Sequence, residues 1–261
     1  MSVVLAATWE PRGEAKRFRR LYKPLTTMFA HMVVVVPPNT HFGLLLSMNH
    51  YDKLDFFTPE VWTAGRYESL RQAVNILPQT SASHILYADM DRLIRWAETN
   101  YEELRQSVKR VQMYDCLVIG RTKRAYATHP QALIQTEAIS NAVFSKLLGK
   151  PLDLSAGAKG FSREIAGFVA ANAQQENSFG ADAEWVVLAR RGGCKIRTLA
   201  VHGLDWESAD RYTDVAADGE RQRAAATEYD ADPANWSMRI GVADEIIRTG
   251  LDAMKRPLMV E

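Results

Sequence analysis

Short apolar runs alternate along the chain with longer amphipathic stretches, and this alternation limits the fold more than any other feature of the sequence. Six runs rich in Val, Ile and Leu are predicted to be strands: Val3–Thr8, Met32–Pro37, Leu44–Met48, His84–Ala88, Cys116–Gly120 and Lys195–Val201. Most of them lack the apolar–polar alternation of a strand that has one solvent-exposed face. We therefore expect both faces of the sheet to be covered by helices.

Stretches with helical periodicity fill the intervals between the strand-like runs. In Arg92–Val111, for example, Leu93, Ala97 and Leu104 fall on one face of a helix. The same pattern predicts four further helices, at Ala64–Leu77, Gln131–Leu148, Arg163–Ala173 and Ala183–Arg191. Strands that alternate with helices indicate βαβ units. The prediction is an α/β fold: a single Rossmann-like domain whose mainly parallel central sheet is flanked by helices.

The character of the sequence changes after residue 202. Gly203–Asn235 is polar, acidic and poor in branched aliphatic residues, and it contains one stretch with helical character, Gly219–Tyr229. A loop of this length in a compact domain is usually functional or disordered. We predict a core over residues 1–202, a flexible active-site loop over 203–236, and a C-terminal helix within 237–261 that packs on the core.

The composition excludes several classes of protein. The formal net charge is +1, so there is no general attraction to nucleic acid or to an anionic membrane. No run reaches the ~18 apolar residues of a transmembrane segment, and the N-terminus lacks a signal-peptide pattern. Cys116 and Cys194 stand outside any C-x-x-C motif, which favours reduced thiols. The expected location is the cytoplasm, with peripheral attachment to a membrane left open.

Two aspartates, Asp89 and Asp91, follow the predicted strand His84–Ala88. In open α/β sheets, ligands bind beyond the carboxyl ends of the strands. Carboxylates at such a place suit Mg²⁺ or Mn²⁺ held together with substrate phosphates. The alternative is that one aspartate caps the helix that starts near Arg92. A second Asp-x-Asp, formed by Asp230 and Asp232, has no strand before it and serves as an internal comparison.

Over about residues 1 to 207 the chain resembles the GT-A-fold, nucleotide-sugar-dependent glycosyltransferases, particularly the family-2-like enzymes. Five segments carry the resemblance, and they occur in the order found in that family: VVLAATWEPR with Glu10, TAGRYESLRQAV with Arg66, YADMD with Asp89 and Asp91, SAGAKGFSRE with Lys159, and FGADAEWVVLARRGGCKIRTLAV with Asp182 and Glu184. The resemblance implies a nucleotide-sugar half over about residues 1–115 and an acceptor half over about 116–202.

The resemblance also implies roles for particular residues. Donor-binding residues would be Thr8, Glu10, Arg66, Asp89 and Lys159. Asp91 would bind a divalent cation, Mn²⁺ or Mg²⁺. His202, after the last predicted strand, would complete the metal site, as in the similar mannosylglycerate and glucosyl-3-phosphoglycerate synthases. Asp182 or Glu184 would be the base that takes a proton from the acceptor, and an acid favoured by a helix N-terminus is the competing interpretation of that pair.

The implied activity is transfer of a sugar from a nucleoside-diphosphate sugar to a hydroxyl acceptor, which is a small molecule, a glycan or a lipid-linked group. A homo-oligomer is compatible with this interpretation. Two departures from the family limit it. The second predicted strand ends in Pro37, Pro38 and Asn39, without the acidic residue that binds the nucleobase of the donor in that family. The Gln-x-x-Arg-Trp motif of processive synthases does not occur.

Two other functions stay open. The segment Arg20–Thr26 is similar to the Arg-Leu-x-Pro-Leu-Thr of sugar-phosphate nucleotidyltransferases, but the residues before it offer a single glycine, Gly13, for a phosphate loop. A non-catalytic protein that binds a nucleotide sugar is the third interpretation. A basic cluster after a strand end, formed by Arg121, Lys123 and Arg124, is expected to be solvated charge.

Overall fold

The central sheet is mainly parallel, as the sequence predicts. The computed structural model describes residues 3–48, 50–174 and 178–259. Within these ranges seven strands form one sheet: β1 (Val3–Thr8), β2 (His31–Val35), β3 (Leu54–Phe57), β4 (His84–Asp89), β5 (Cys116–Arg121), β6 (Ala158–Ser162) and β7 (Ile196–Val201). The order is β3-β2-β1-β4-β6-β5-β7, and β6 alone runs antiparallel to its neighbours.

Helices cover both faces of this sheet. In the described residues they are α1 (Ala15–Thr26), α2 (Phe42–Leu46), α3 (Gly65–Ile76), α4 (Met90–Thr99), α5 (Tyr101–Val111), α6 (Lys123–Tyr126), α7 (Gln131–Leu148), α8 (Arg163–Asn172), α9 (Ala181–Arg191), α10 (Gly219–Ala231) and α11 (Pro233–Lys255). Short 3₁₀ turns precede or follow several of them.

The apolar strands form two cores, one on each face of the sheet. In β1, Val4 and Ala6 face the core that α3, α7, α8, α9 and α11 cover, whereas Val3, Leu5 and Ala7 face the core under α1, α4 and α5. Successive side chains of a strand point to opposite faces. A strand covered on both faces therefore needs apolar residues at every position, and this explains the uninterrupted runs in the sequence.

The strand assignment from sequence was wrong in one place and incomplete in two. The run predicted as a strand at Leu44–Met48 lies mostly in α2, a five-residue helix. The chain instead places β3 at Leu54–Phe57. It adds β6, whose lysine and glycine hid it from a search for apolar runs. The predicted helix Arg92–Val111 is two helices, α4 and α5, which break at Asn100.

The region after β7 contains more regular structure than the sequence suggests. α10 extends through most of its second half, and α11 begins at Pro233 rather than at Met238. Proline at the first turn costs no hydrogen bond, and the side chain of Asp232 accepts the amide of Ala234 as a cap. The segment therefore differs from a uniform loop in secondary structure, while its flexibility stays a prediction.

Buried ion pairs attach the start of this region to the core. Arg95 of α4 binds Asp205 at 2.6 Å and Asp210 at 2.6 Å. Arg17 of α1 approaches the second oxygen of Asp210 at 2.8 Å and also binds Glu98 at 2.8 Å. Both arginines and Asp210 are buried. A buried charge that lost its partner would be costly, so these pairs fix residues 205–210 against α1 and α4.

The same region also touches the loop that follows β1. The amide of Tyr212 donates to the carbonyl of Arg12 at 2.7 Å. Gly13 has φ +98, and a Cβ at that position would lie 2.6 Å from the Cα of Tyr212. Only glycine permits this approach. The loops after β1 and after β7 are therefore packed directly against each other.

Candidate active site

A cavity of about 430 Å³ lies beyond the carboxyl ends of the central strands. Thr8 at the end of β1 pairs in register with Asp89 at the end of β4, and both line the cavity. Glu10, Arg66 and Asp91 line it as well. The structure thus brings together five of the residues that the sequence assigns to the donor and the metal.

Asp89 is held by hydrogen bonds on both of its oxygens. Oδ1 accepts from the Tyr87 hydroxyl at 2.6 Å and from Thr8 Oγ1 at 3.3 Å. Arg66 Nη2 donates to both oxygens, at 3.2 and 3.1 Å. The backbone of Gly157 passes close by, because a Cβ there would lie 2.5 Å from Asp89 Oδ2. With its oxygens engaged in this way, Asp89 is suited to orient Arg66 rather than to bind an ion.

Arg66 connects Asp89 to a second carboxylate, Asp182. Its Nη1 lies 3.2 Å from Asp182 Oδ2, and Lys159 Nζ lies 2.6 Å from Asp182 Oδ1. Lys159 also donates to the carbonyl of Leu154 at 3.0 Å. Burial by itself would raise the pKa of Asp182, but the charges of Lys159 and Arg66 outweigh it and lower that pKa to about 2. Lys159 and Asp182 lie behind the cavity wall and support Arg66 from the core.

Asp91 has a different environment from Asp89. Its Oδ1 accepts the backbone amide of Arg92 at 2.8 Å. Burial and the neighbouring charges of Glu207 and Asp89 together raise the pKa of Asp91 to about 7, although Arg92 lowers it. The Arg92 side chain lies between these groups, with Nε 3.8 Å from Asp89 and 3.5 Å from Glu207. Asp91 is therefore a recessed carboxylate that excess negative charge surrounds.

Glu184 lies in the core, away from the cavity lining. It forms an ion pair with Arg256, which follows α11, and it accepts the backbone amide of Gln174 at 2.9 Å. Burial raises the pKa of Glu184 despite these contacts. Its contacts tie α9 to the end of α11. A catalytic role for Asp182 or Glu184 stays a prediction, and the contacts of both side chains favour structural roles.

His202 is likewise absent from the lining of the cavity. Its Nδ1 lies 2.9 Å from Thr122 Oγ1 and 3.3 Å from Arg124 Nε. Its backbone amide donates to the carboxylate of Glu103. The ring is exposed beside the end of β5. Metal binding by His202 is what the family resemblance implies for a histidine after the last strand, and the structure gives the ring other partners.

A buried chain of ion pairs near the cavity escaped the sequence analysis. Arg121, expected to be solvated, is buried and binds Glu137 at 2.6 Å and Asp153 at 2.7 Å. Glu137 also binds Arg239 at 2.7 Å, and Arg239 lines the cavity. The expectation for Arg121 was therefore wrong. The available signal was Glu137, a charge on the apolar face of a long helix, which requires a buried partner.

Asp230 and Asp232, which form the second Asp-x-Asp, act as helix caps. Asp230 accepts the amides of Gln131 and Ala132, at 2.7 and 2.9 Å, and so caps α7. Asp232 caps α11 through the amide of Ala234. Asp89 and Asp91 differ because a strand precedes them. Strand context, rather than the motif itself, separates the two pairs.

The carboxylates that line the cavity suit a divalent cation that takes only one or two of its ligands from the protein. In the part of the chain that the structure describes, no three His, Cys, Asp or Glu side chains gather closely enough to hold one ion. Mg²⁺ in phosphate-binding enzymes commonly takes one or two carboxylates, and its other ligands are water and substrate phosphates. Asp91, which is recessed and makes one side-chain hydrogen bond within the described ranges, meets that requirement.

Comparisons with known proteins identify the fold. No protein-family model matches the chain, and no curated protein sequence matches it. A glucosyl-3-phosphoglycerate synthase from Mycobacterium tuberculosis, solved with Mn²⁺, uridine-diphosphate-glucose and phosphoglyceric acid, superposes with a TM-score of 0.52 at 10% identity, over 99% of this chain and 81% of that one. Another structure of that synthase gives 0.55 at 14% identity, over 99% and 82%.

A third structure, described as a mycobacterial protein, superposes with a TM-score of 0.56 at 12% identity, over 98% of this chain and 75% of that one. These likenesses span nearly the whole chain. They confirm the predicted GT-A fold, a single α/β domain with a mainly parallel sheet. Among the described residues, no helix is long and apolar enough to cross a membrane.

Proposed function

We propose that this protein is a divalent-cation-dependent glycosyltransferase, which transfers a sugar from a nucleoside-diphosphate sugar to a hydroxyl acceptor. The single observation that carries the proposal is the convergence of Thr8, Arg66, Asp89 and Asp91 on one cavity at the carboxyl ends of β1 and β4. The GT-A fold and the synthases solved with uridine-diphosphate-glucose and Mn²⁺ support it.

In this proposal Arg66 binds the donor diphosphate. Its guanidinium is oriented by Asp89 on one side and by Asp182, with Lys159, on the other. A planar guanidinium matches phosphate oxygens in two-point contacts, which a flexible ammonium group does not. Thr8 and Tyr87 complete the set of groups that fix Asp89. Asp182 and Lys159, behind the cavity wall, thus hold Arg66 in position to face the donor.

Asp91 is the residue proposed to hold the cation, Mn²⁺ or Mg²⁺. A cation at this place would neutralise charge that develops on the leaving diphosphate. Asp91 lies beside Arg92, whose side chain donates to the carbonyl of Ser155 at 3.0 Å and lines the same cavity. Arg92 is therefore a second positive group near the expected position of the phosphates.

The contacts of Asp182 favour a positioning role over that of the general base. An efficient general base has a pKa near the operating pH. Asp182, whose pKa is lowered to about 2, is a weak base, and it is engaged by two cations. We propose that Asp182 positions Arg66 and that substitution of Asp182 affects donor binding more than the chemical step.

The acceptor is proposed to bind between the donor and the C-terminal helices. Arg211 and Arg239 line that side of the cavity together with Tyr229 and Asn235. The two arginines suit an acceptor that carries a phosphate or carboxylate group. The synthases with this fold were solved with phosphoglyceric acid or glycerol 3-phosphate, which are anionic hydroxyl compounds. We propose a small anionic acceptor and a cytoplasmic location.

A non-catalytic nucleotide-sugar binder remains the second candidate. The observation that favours it is that neither predicted base, Asp182 or Glu184, lines the cavity. The nucleotidyltransferase interpretation has less support. Its motif lies in α1, whose Phe18 and Leu25 are buried in the core, and Arg20 to Thr26 are absent from the cavity lining.

A thermal-shift screen with UDP-, GDP-, ADP- and dTDP-sugars, with and without Mn²⁺, tests donor binding. A ligand that binds the folded state alone raises the melting temperature by mass action. We expect one nucleotide sugar to do so in a Mn²⁺-dependent way, and absence of a shift with all four would contradict the proposal. Release of the nucleoside diphosphate in the presence of a phosphorylated hydroxyl acceptor then separates a transferase from a binder.

A further inference from the structure

We propose that Glu207, rather than His202, is the second protein ligand of the divalent cation bound by Asp91. This inference deepens the proposed function and rests on it for the presence of a cation. The family resemblance implies that role for His202, which directly follows β7. The structure shows that residue outside the cavity and shows Glu207, five positions later, within it.

The first observation is the state of the Glu207 carboxylate. Glu207 is 8% exposed and lines the same cavity as Asp91. Its Oε2 is buried and has no hydrogen-bond partner within the described residues. The nearest cation is Arg92 Nε at 3.5 Å, which is longer than a charge-assisted hydrogen bond. A buried carboxylate oxygen without a hydrogen bond is costly, so a ligand is expected to satisfy it.

The second observation is the balance of charge around Asp91. This group contains four carboxylates: Asp89, Asp182 and Glu207, which pair with cationic side chains, and Asp91, whose Oδ1 accepts the backbone amide of Arg92. Three cations face them: Arg66, Arg92 and Lys159. One negative charge is therefore unmatched in this group of the described residues. A divalent cation between Asp91 and Glu207 would reverse the excess and leave the site ready for an anionic diphosphate.

The third observation is that Glu207 is held in place from both sides. Asp205 and Asp210 flank it in sequence, and Arg95 binds both of them at 2.6 Å. The amide of Trp206 donates to Thr128 Oγ1 at 2.8 Å, and Gln222 donates to the carbonyl of Trp206 at 2.9 Å. A fixed backbone on both sides pre-organises the carboxylate, as metal sites require.

His202 lacks these properties. Its ring is exposed and contacts Thr122 and Arg124, and its amide is bound by Glu103. Nδ1 is engaged by Thr122 and Arg124, and the ring does not line the cavity. Two carboxylates, with phosphate oxygens and water as the remaining ligands, form an oxygen-rich site that suits Mg²⁺ and Mn²⁺.

The test compares Glu207→Gln, Asp91→Asn and His202→Gln, with Glu220→Gln on exposed α10 as the control. Binding of Mn²⁺ is measured from the electron paramagnetic resonance signal of the free ion, for the protein alone and with UDP. We expect Glu207→Gln and Asp91→Asn to weaken Mn²⁺ binding by about 10-fold or more, a loss at least as large as that for outer-shell residues of metal sites. His202→Gln and Glu220→Gln should bind Mn²⁺ as the wild type does.

Melting without metal gives a second readout. Because Glu207→Gln lowers the excess of negative charge in this group, the variant should melt no lower than the wild type without Mn²⁺ but lose the increase that Mn²⁺ produces. If Glu207→Gln does not fold, Glu207→Asp keeps the charge and shortens the side chain, and weakened Mn²⁺ binding is expected again. Unchanged Mn²⁺ binding in the Glu207 variant, or its loss in His202→Gln, would overturn the inference.

The two proposals fail in different ways. If Mn²⁺ binds through Asp91 and Glu207 but no nucleotide sugar binds, the inference stands and the proposed function fails. If a nucleotide sugar binds in a Mn²⁺-dependent way that does not need Glu207, the proposed function stands and the inference fails. The measurement with Mn²⁺ alone separates the two.

Discussion

Lys159 Nζ lies 2.6 Å from Asp182 Oδ1, and both side chains are almost completely buried. Arg66 approaches the other oxygen of the same carboxylate and extends from it to Asp89 at the cavity. An ion pair of the core is thereby connected to the residue expected to bind the donor. The state of Asp182 is therefore expected to affect stability and donor binding together.

Lys159→Met is expected to destabilise the protein, because it leaves Asp182 buried with one partner fewer. Breaking a buried pair typically costs about 3–5 kcal/mol. Urea denaturation measures this loss. The control is Lys16→Met, which removes the exposed pair of Lys16 with Asp214 and should cost less than about 1 kcal/mol. Equal losses for the two variants would contradict the role assigned to the buried pair.

The pKa of Asp182 also predicts a dependence of stability on pH. Its folded pKa is about 2, below the value of about 3.9 for an unfolded chain. The unfolded state therefore binds the proton more tightly, and the stabilisation is present above pH ~4 and lost as the pH falls toward 2. The contribution is on the order of 2 kcal/mol. The stability difference between wild type and Asp182→Asn should shrink over that interval, and a constant difference would contradict the prediction.

Arg66→Lys should weaken donor binding even though it keeps the charge. A lysine ammonium cannot reproduce the planar contacts that Arg66 makes with Asp89 and Asp182 at once. We expect calorimetry to show an affinity for the donor nucleotide about 10-fold lower or worse, equivalent to about 1.4 kcal/mol. Arg71→Lys, on the same helix but paired with Glu68 at its surface, should bind normally.

Gly157→Ala and Gly149→Ala form a matched pair of substitutions. Both glycines adopt the left-handed backbone conformation, with φ of +72 and +70, so both alanine variants bear a similar backbone penalty of about 1 kcal/mol. At Gly157 the new Cβ would also meet Asp89 Oδ2 at 2.5 Å, whereas at Gly149 nothing lies within 4 Å. Gly157→Ala should be the less stable variant by denaturation and should also bind the donor more weakly.

Asp210→Asn is expected to loosen the segment after β7. Arg17 and Arg95 are both buried against this carboxylate, and each would lose a charged partner. Limited proteolysis should then cut within residues 203–218 faster than in the wild type. Asp214→Asn removes an exposed partner of Lys16 and should leave the cutting rate unchanged. Equal cutting of all three proteins would argue that the ion pairs of Asp210 with Arg17 and Arg95 do not hold this segment in place.

The fold was predictable where one physical pattern determines an element. The interior positions of β1, β4 and β5 are apolar because two cores cover them, and the bounds of these strands agree with the prediction to within a residue. β6 was missed because its Lys159 forms a buried ion pair that only the folded chain reveals. Leu44–Met48 was misassigned because a run this short, with four apolar residues and Ser47, has no period that separates strand from helix.

In the candidate site, too, local sequence predicts some residues and leaves their partners unpredicted. A strand followed by acidic residues located Asp89 and Asp91, and the family pattern located Arg66. The partners of these residues come from distant parts of the chain, and local sequence does not contain that information. Glu207 and Arg92 face each other across more than a hundred residues. Their proximity depends on the ion pairs that Arg95 makes with Asp205 and Asp210.

The position of β6 has a consequence for dividing the protein. β6 lies between β4 and β5, so a strand from the predicted acceptor half pairs with β4 of the predicted nucleotide half. A fragment that ends at residue 115 would expose the backbone donors and acceptors of β4 along one side. Unpaired strand edges recruit other chains. Such a fragment is therefore expected to aggregate when it is expressed alone, and the two halves are better regarded as one cooperative folding unit than as separable modules.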